Sequence, residues 1–199
     1  MNTCYIVGAG ELYNLAKPDK TDLLIAADGG YDHLISHHLT PNLLIGDLDS
    51  IREVPEDVEI LRFPERKDET DMLLAFNEGY ARGFREFRIY GGTGGREDHT
   101  YANYSLLLYA KNRGARAVLS MKGFNAEVLR DETVSVMPEH SGYFSLFALG
   151  GEARVTIRGA LFDAEDITLT PEFPLGVSNR YRAPVTQITV THGTVLAFL

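Results

Sequence analysis

The feature that most constrains the fold is a series of short apolar runs, several of them continuous instead of alternating. They lie at Cys4–Val7, Leu23–Ala27, Leu43–Ile45, Val58–Phe63, Phe87–Tyr90 and Ala115–Ser120. A strand with one wet face alternates apolar and polar residues, whereas a strand covered on both faces does not. Between the runs stand segments with helical spacing. Over Glu69–Arg82, Met72, Leu73, Phe76 and Tyr80 fall near one face; over His99–Arg113, Ala102, Leu106, Tyr109 and Ala110 do the same. Gly83 and Gly114 supply the stop signals. This alternation predicts an α/β domain with a parallel or mostly parallel sheet.

Past about residue 122 the texture changes. Glu127–Met137, Tyr143–Leu149, Ala153–Ile157, Ile167–Thr170 and Val185–Val190 are rich in Val, Thr and Phe and alternate as half-buried strands do. Thr191-His192-Gly193 reads as a turn, which predicts a terminal hairpin ending at Leu199. No segment there has helical length. The expectation is an α/β domain over 1–122 followed by a small all-β, sandwich-like domain over 123–199, joined near Lys122–Asn125.

Composition bounds the partners. With 28 acidic and 19 basic residues the net charge is −9. Neutralising phosphate backbones or anionic lipid needs the opposite balance, so neither nucleic acid nor membrane is an expected partner. Apolar residues make up 44% of the chain, enough for a real core. The single cysteine, Cys4, excludes an internal disulfide and any cysteine-based zinc cluster, and its apolar surroundings suggest a buried structural thiol. No stretch reaches the ~18 apolar residues of a membrane helix, and no signal peptide is visible. A cytoplasmic location is expected.

The acids are not spread evenly. Ala27-Asp28-Gly29-Gly30, Gly46-Asp47-Leu48-Asp49-Ser50, Lys67-Asp68-Glu69-Thr70-Asp71 and Gly91-Gly92-Thr93-Gly94-Gly95-Arg96-Glu97-Asp98-His99 each follow an apolar run. In open α/β sheets ligands bind beyond the carboxyl ends of the strands, so the four clusters should share one rim. Structural readings exist for each. Asp68 and Asp98 are placed as helix N-caps, Asp71 suits a first helical turn, and Asp28 with its glycines suits a turn. Asp47 and Asp49, two residues apart, suit a hard cation such as Mg²⁺, which takes oxygen ligands together with waters and phosphates. The glycine-rich loop would bring backbone N–H groups and a helix start to phosphate, with Arg96 as a fixed cation. Neither GxxxxGK[ST] nor GxGxxG occurs.

Together these motifs resemble the thiamine pyrophosphokinase family. The segments that carry the resemblance are ADGG at 27–30, PNLLIGDLDSI at 41–51, FPERKDETD at 63–71, GGTGGREDHTYAN at 91–103 and GVSNRY at 176–181. The resemblance implies transfer of a pyrophosphoryl group from Mg·ATP to the hydroxyl of thiamine, giving thiamine diphosphate and AMP. It implies ATP and metal on the α/β domain, and a homodimer built by the β domain with thiamine at the interface between protomers. Asp47, Asp49 and Asp71 match the metal-binding acids, and Asp98 the acid of the glycine-rich motif. These four are the candidate catalytic residues, with Asp71 or Asp98 as proton acceptor. Gly29, Gly30, Thr70, Gly92, Arg96 and His99 fall on the nucleotide side, and Asp28, Ser178 and Asn179 on the substrate side.

Some positions depart from the family. The chain has no Trp, which some members carry near thiamine; Phe162 stands either as the aromatic at that place or as core packing. Arg180, beside the Ser178-Asn179 pair, is an unusual neighbour for a cationic substrate, and the pair itself also reads as a turn. A pyrophosphokinase for another alcohol, such as a hydroxymethylpterin, or a non-catalytic nucleotide or thiamine binder are the alternatives.

Overall fold

The computed structural model describes residues 2–48, 51, 55–64, 68–138 and 142–199. Asp49, expected as a metal ligand, lies outside them. The chain divides into two compact units, Met1–Gly123 and Phe124–Leu199.

The first unit holds β1 (Thr3–Val7), β2 (Leu23–Ala27), α1 (Gly30–Ser36), β3 (Leu43–Gly46), β4 (Glu59–Arg62), α2 (Asp71–Ala81), β5 (Glu86–Tyr90), α3 (Glu97–Asn112) and β6 (Arg116–Met121). Its strands run in the order β6-β5-β1-β2-β3-β4, and every neighbouring pair is parallel. All five residues of β2 and all four of β3 are buried, which is why those runs carry no polar alternation. Phe76 of α2 packs on Phe87 of β5 with ring centroids 4.5 Å apart, and on Tyr109 of α3 at 5.8 Å. Cys4 is buried against this layer, and burial pushes its thiol pKa far up, as suits an inert packing group.

The expected stop signals operate. Gly83 and Gly114 take positive φ, +95° and +71°. Each helix closes with paired bonds: Gly83 N–H to Tyr80 O and Phe84 N–H to Gly79 O after α2, and Gly114 N–H to Lys111 O and Ala115 N–H to Ala110 O after α3. Helix α1 ends the same way, but with His38 at φ +57° in the glycine's place. That substitution hides α1 from a sequence reading.

The second unit is all β: β7 (Phe124–Leu129), β8 (Glu132–Val136), β9 (Tyr143–Ala148), β10 (Ala153–Arg158), β11 (Ala164–Leu169), β12 (Asn179–Arg180), β13 (Thr186–His192) and β14 (Val195–Phe198). Strands β12-β9-β14-β7 are neighbours in one layer and β11-β10-β13-β8 in another. Phe144, Leu146 and Val195 from the first meet Val155, Ile157, Ile188 and Val190 from the second in one buried cluster. The sandwich-like expectation holds, with two corrections. Glu127–Met137 is two strands, because Asp131 turns the chain at φ +50° without a glycine. The terminal hairpin does not form: β13 pairs with β10 and β8, while β14 pairs with β7 and β9. Gly193, at φ +76°, carries the chain from one layer to the other, and a Cβ there would lie 2.3 Å from Glu152 O.

Candidate active site

Chain order and strand order diverge at β1. The chain steps from β1 outward to β4, then returns to place β5 on the other side of β1. The ends of β1 and β5 therefore form a topological switch point, the place where α/β sheets leave a crevice. Three bonds tie the segments beyond those ends: Gly8 N–H to Tyr90 O and Gly10 N–H to Gly91 O, both 2.8 Å, and Glu11 N–H to Thr93 O, 2.7 Å. The backbones are too close for side chains. A Cβ on Gly91 would stand 2.2 Å from Gly8 O.

Around this seam opens a cleft of about 660 Å³. Asp28, Asp47, Thr70, Asp71, Gly92, Arg96 and His99 line it, so seven residues singled out in the sequence come from the ends of four strands to one cavity. Gly8-Ala9-Gly10 lines it too. Gly29 and Gly30 are buried beside it; a Cβ on Gly30 would lie 1.9 Å from Val7 O, so its glycine lets α1 start directly against β1.

Both expected caps are corrected. The N-cap of α2 is Thr70, whose Oγ1 accepts from Leu73 N–H at 3.2 Å, and α3 is capped by Arg96 without a side-chain bond. Asp71 is the first helical residue of α2, where the positive helix end favours a carboxylate, and it also lines the cleft.

Asp28 is the clearest polar anomaly. It sits at φ +46°, its N–H donates to Ile45 O at 2.7 Å, and its Oδ1 is buried without a hydrogen-bond partner among the described residues. Buried carboxylate oxygens are ordinarily paired, so an orphan lining a cleft marks a place for a cation or donor from outside the chain.

Asp98 turns elsewhere. Its carboxylate meets Arg96 through a two-pronged contact, Nε to Oδ1 at 3.1 Å and Nη2 to Oδ2 at 2.6 Å, and Oδ1 also accepts from His99 N–H at 3.0 Å. Arg96 holds the Asp98 carboxyl below its ordinary pKa, and Asp98 raises that of Arg96.

Ser178 and Asn179 lie in the second unit. Ser178 turns the chain at φ +60°. Asn179 is buried and clips the Phe162 backbone: Oδ1 accepts Phe162 N–H at 3.1 Å, and Nδ2 donates to Phe162 O at 2.8 Å. Phe162 is 66% exposed, which removes the core-packing reading. Arg180 donates to Tyr143 Oη and lies over that ring, 4.6 Å from its centroid.

Asn103, Thr100 and Met72, which the sequence motifs do not mark as site residues, also line the cleft. Asn103 stands four residues after His99, and that helical spacing was the available signal.

A sequence profile described as thiamin pyrophosphokinase, catalytic domain, matches residues 16–119. The curated proteins gave no match. The fold is similar to that of a thiamine pyrophosphokinase from Bacillus subtilis, with 22% identity, TM-score 0.89, and coverage of 99% of this chain and 98% of that one. A thiamin pyrophosphokinase family protein from Enterococcus faecalis gives 23%, 0.86, 100% and 98%. The yeast thiamin pyrophosphokinase gives 17%, 0.75, 99% and 85%. At these identities the solved structures establish a shared fold, and the profile match over half the chain establishes the rest: this chain belongs to the thiamine pyrophosphokinase family.

Proposed function

We propose that the protein transfers the pyrophosphoryl group of Mg·ATP to the hydroxyl of thiamine, releasing thiamine diphosphate and AMP. The observation that carries the reading is the orphaned Asp28 Oδ1, in one cleft with Asp47, Asp71 and the glycine-rich loop. Among the described residues no three His, Cys, Asp or Glu side chains form a group able to hold a metal. Mg²⁺ fits such a donor set, because it binds through one or two carboxylates and completes its shell with water and substrate phosphates. Asp47 and Asp71 would hold it, with Asp28 beside them; Asp49, the third acid expected as a ligand, lies outside the described residues. When bound, the metal neutralises phosphate charge and polarises the phosphoryl oxygens.

The chain's own groups supply the rest. The 91–95 loop and the start of α3 offer backbone N–H groups to phosphate, and Arg96 at the cleft offers a guanidinium. The thiamine hydroxyl attacks the β-phosphorus, the bond to the α-phosphate oxygen breaks, and AMP leaves with that oxygen's electron pair. The hydroxyl proton passes to a carboxylate. Asp71, through a carboxylate oxygen not engaged by the metal, suits this better than Asp98, because Asp71 lines the cleft while Asp98 is held by Arg96 with a lowered pKa.

Residues 1–122 are assigned the nucleotide and metal role. Residues 123–199 are assigned a share in thiamine binding and dimer formation, supported by the exposed apolar side chains Tyr143, Leu161, Phe162 and Val177. The proposed location is cytoplasmic; no described helix is long and apolar enough to cross a membrane.

Incubating pure protein with ATP, Mg²⁺ and thiamine and resolving the nucleotides tests the proposal. Thiamine-dependent AMP is expected. ADP as the coupled product would sink pyrophosphoryl transfer, and turnover only on a pterin alcohol would reassign the acceptor.

A further inference from the structure

The glycine-rich loop must present N–H groups, and not carbonyl oxygens, to a phosphate. The carbonyls of its first three residues are each held by a bond. Gly91 O accepts Gly10 N–H at 2.8 Å, Thr93 O accepts Glu11 N–H at 2.7 Å, and Gly92 O accepts Asn103 Nδ2 at 2.8 Å. The bonds to Gly91 O and Thr93 O are backbone bonds along the β1–β5 seam. The bond to Gly92 O depends on a single side chain.

Asn103 is 5% exposed, on the second turn of α3, and it lines the cleft beside His99 and Thr100. A buried amide is retained only where it is bonded, and only its nitrogen can face a carbonyl oxygen. Gly92 makes the bond necessary. A Cβ there would stand 2.7 Å from Leu119 Cδ1 and 3.1 Å from Asn103 Nδ2, so a side chain at 92 would press on the Asn103 amide itself. Glycine resists rotation of the adjacent peptide less than any other residue. Carbonyl and N–H of a trans peptide point oppositely, so a flip of the 92–93 peptide would exchange the Thr93 N–H for the Gly92 oxygen.

The geometry points to Asn103 as a positioning residue that locks the 92–93 peptide, keeping the Gly92 carbonyl against α3 and the Thr93 N–H turned the other way for the phosphates of the nucleotide. This rests on the proposal that the cleft takes Mg·ATP. Without the lock the loop samples an orientation that sets an oxygen against phosphate, and nucleotide affinity falls before anything else does.

The test is calorimetric titration with Mg²⁺ and the non-transferable α,β-methylene analogue of ATP. Asn103→Asp keeps the shape and removes the donor; Asn103→Leu removes both polar atoms. Both are expected to bind about tenfold more weakly, near the upper end of what one neutral hydrogen bond contributes. In turnover, KM for ATP should rise by the same factor while KM for thiamine holds, a split that general loosening of the fold would not produce. Wild-type affinity in the variants overturns the inference. A wild type that does not bind the analogue overturns the nucleotide reading and the inference with it. If both variants fail to fold, amide NMR of the wild type decides: the Thr93 resonance must shift on adding the analogue, and a Thr93 signal that stays in place overturns the lock.

Discussion

Gly8 and Gly91 meet backbone to backbone at the switch point of the parallel sheet. Gly91 takes φ +62°, and a Cβ on it would lie 2.2 Å from Gly8 O. Neither neighbour can move aside, because Gly8 N–H is bonded to Tyr90 O and Gly10 N–H to Gly91 O. Gly91→Ala combines a left-handed backbone with a backbone clash and should cost about 2–4 kcal/mol, together with activity. Gly95→Ala is the control: nothing lies within 4 Å of its Cβ position, so stability should change by less than about 0.5 kcal/mol. Chemical denaturation of both variants checks the contrast.

Asp28 should show a trade of stability against function. Its buried, unpartnered Oδ1 opposes folding, by about 1–3 kcal/mol for an unsatisfied polar atom. Asp28→Asn is therefore expected to unfold at or above the wild-type midpoint in chelator, yet to lose activity by orders of magnitude. Mg²⁺ with nucleotide should raise the wild-type midpoint and leave the variant's unchanged. Scanning calorimetry with and without metal gives the answer, and an active, Mg²⁺-responsive variant would take Asp28 out of the site.

The Arg96–Asp98 pair predicts a pH signature. The folded pKa of Asp98 is lowered, chiefly by the hydrogen bond from Arg96. The pair's contribution is therefore present above the unfolded carboxylate pKa and is lost as pH falls through the lowered folded value. Both side chains are largely exposed, 72% and 64%, so solvent screens the pair and the effect on stability is small. The direct measurement is an NMR titration of the Asp98 carboxyl. In Arg96→Ala its midpoint should move up toward the ordinary value, and an unmoved midpoint would show that the pair does not persist in solution.

Asn179 and Phe162 should separate. Asn179 ties β12 to the connection between β10 and β11 through both ends of its amide, so Asn179→Ala leaves the Phe162 backbone groups without partners and should cost about 1–3 kcal/mol. Phe162→Ala truncates an exposed side chain and should leave chain stability within about 0.5 kcal/mol. If Phe162 serves a partner copy or thiamine, the same variant weakens self-association in sedimentation or raises KM for thiamine. No change in either would confine Phe162 to the surface.

Much of this was legible in the chain. Continuous apolar runs mark β2 and β3 because burial on both faces leaves no room for alternation, and Gly83 and Gly114 end α2 and α3 because a left-handed residue must follow. The Asp motifs at strand ends converge because parallel strands put their carboxyl ends on one rim. Local pattern reports burial and backbone conformation, and it determined the α/β half, the β half and most of the rim.

Pairing is another matter. That β5 returns beside β1, that β13 and β14 enter different layers, and that Asp98 faces Arg96 are outcomes of contacts between residues distant in sequence or between side chains that could have turned either way. The same holds for His38 closing α1, Thr70 capping α2, and Asn103 reaching Gly92 O. Each satisfies a polar group or an end that the local sequence leaves open in several ways, and only the packed chain selects one.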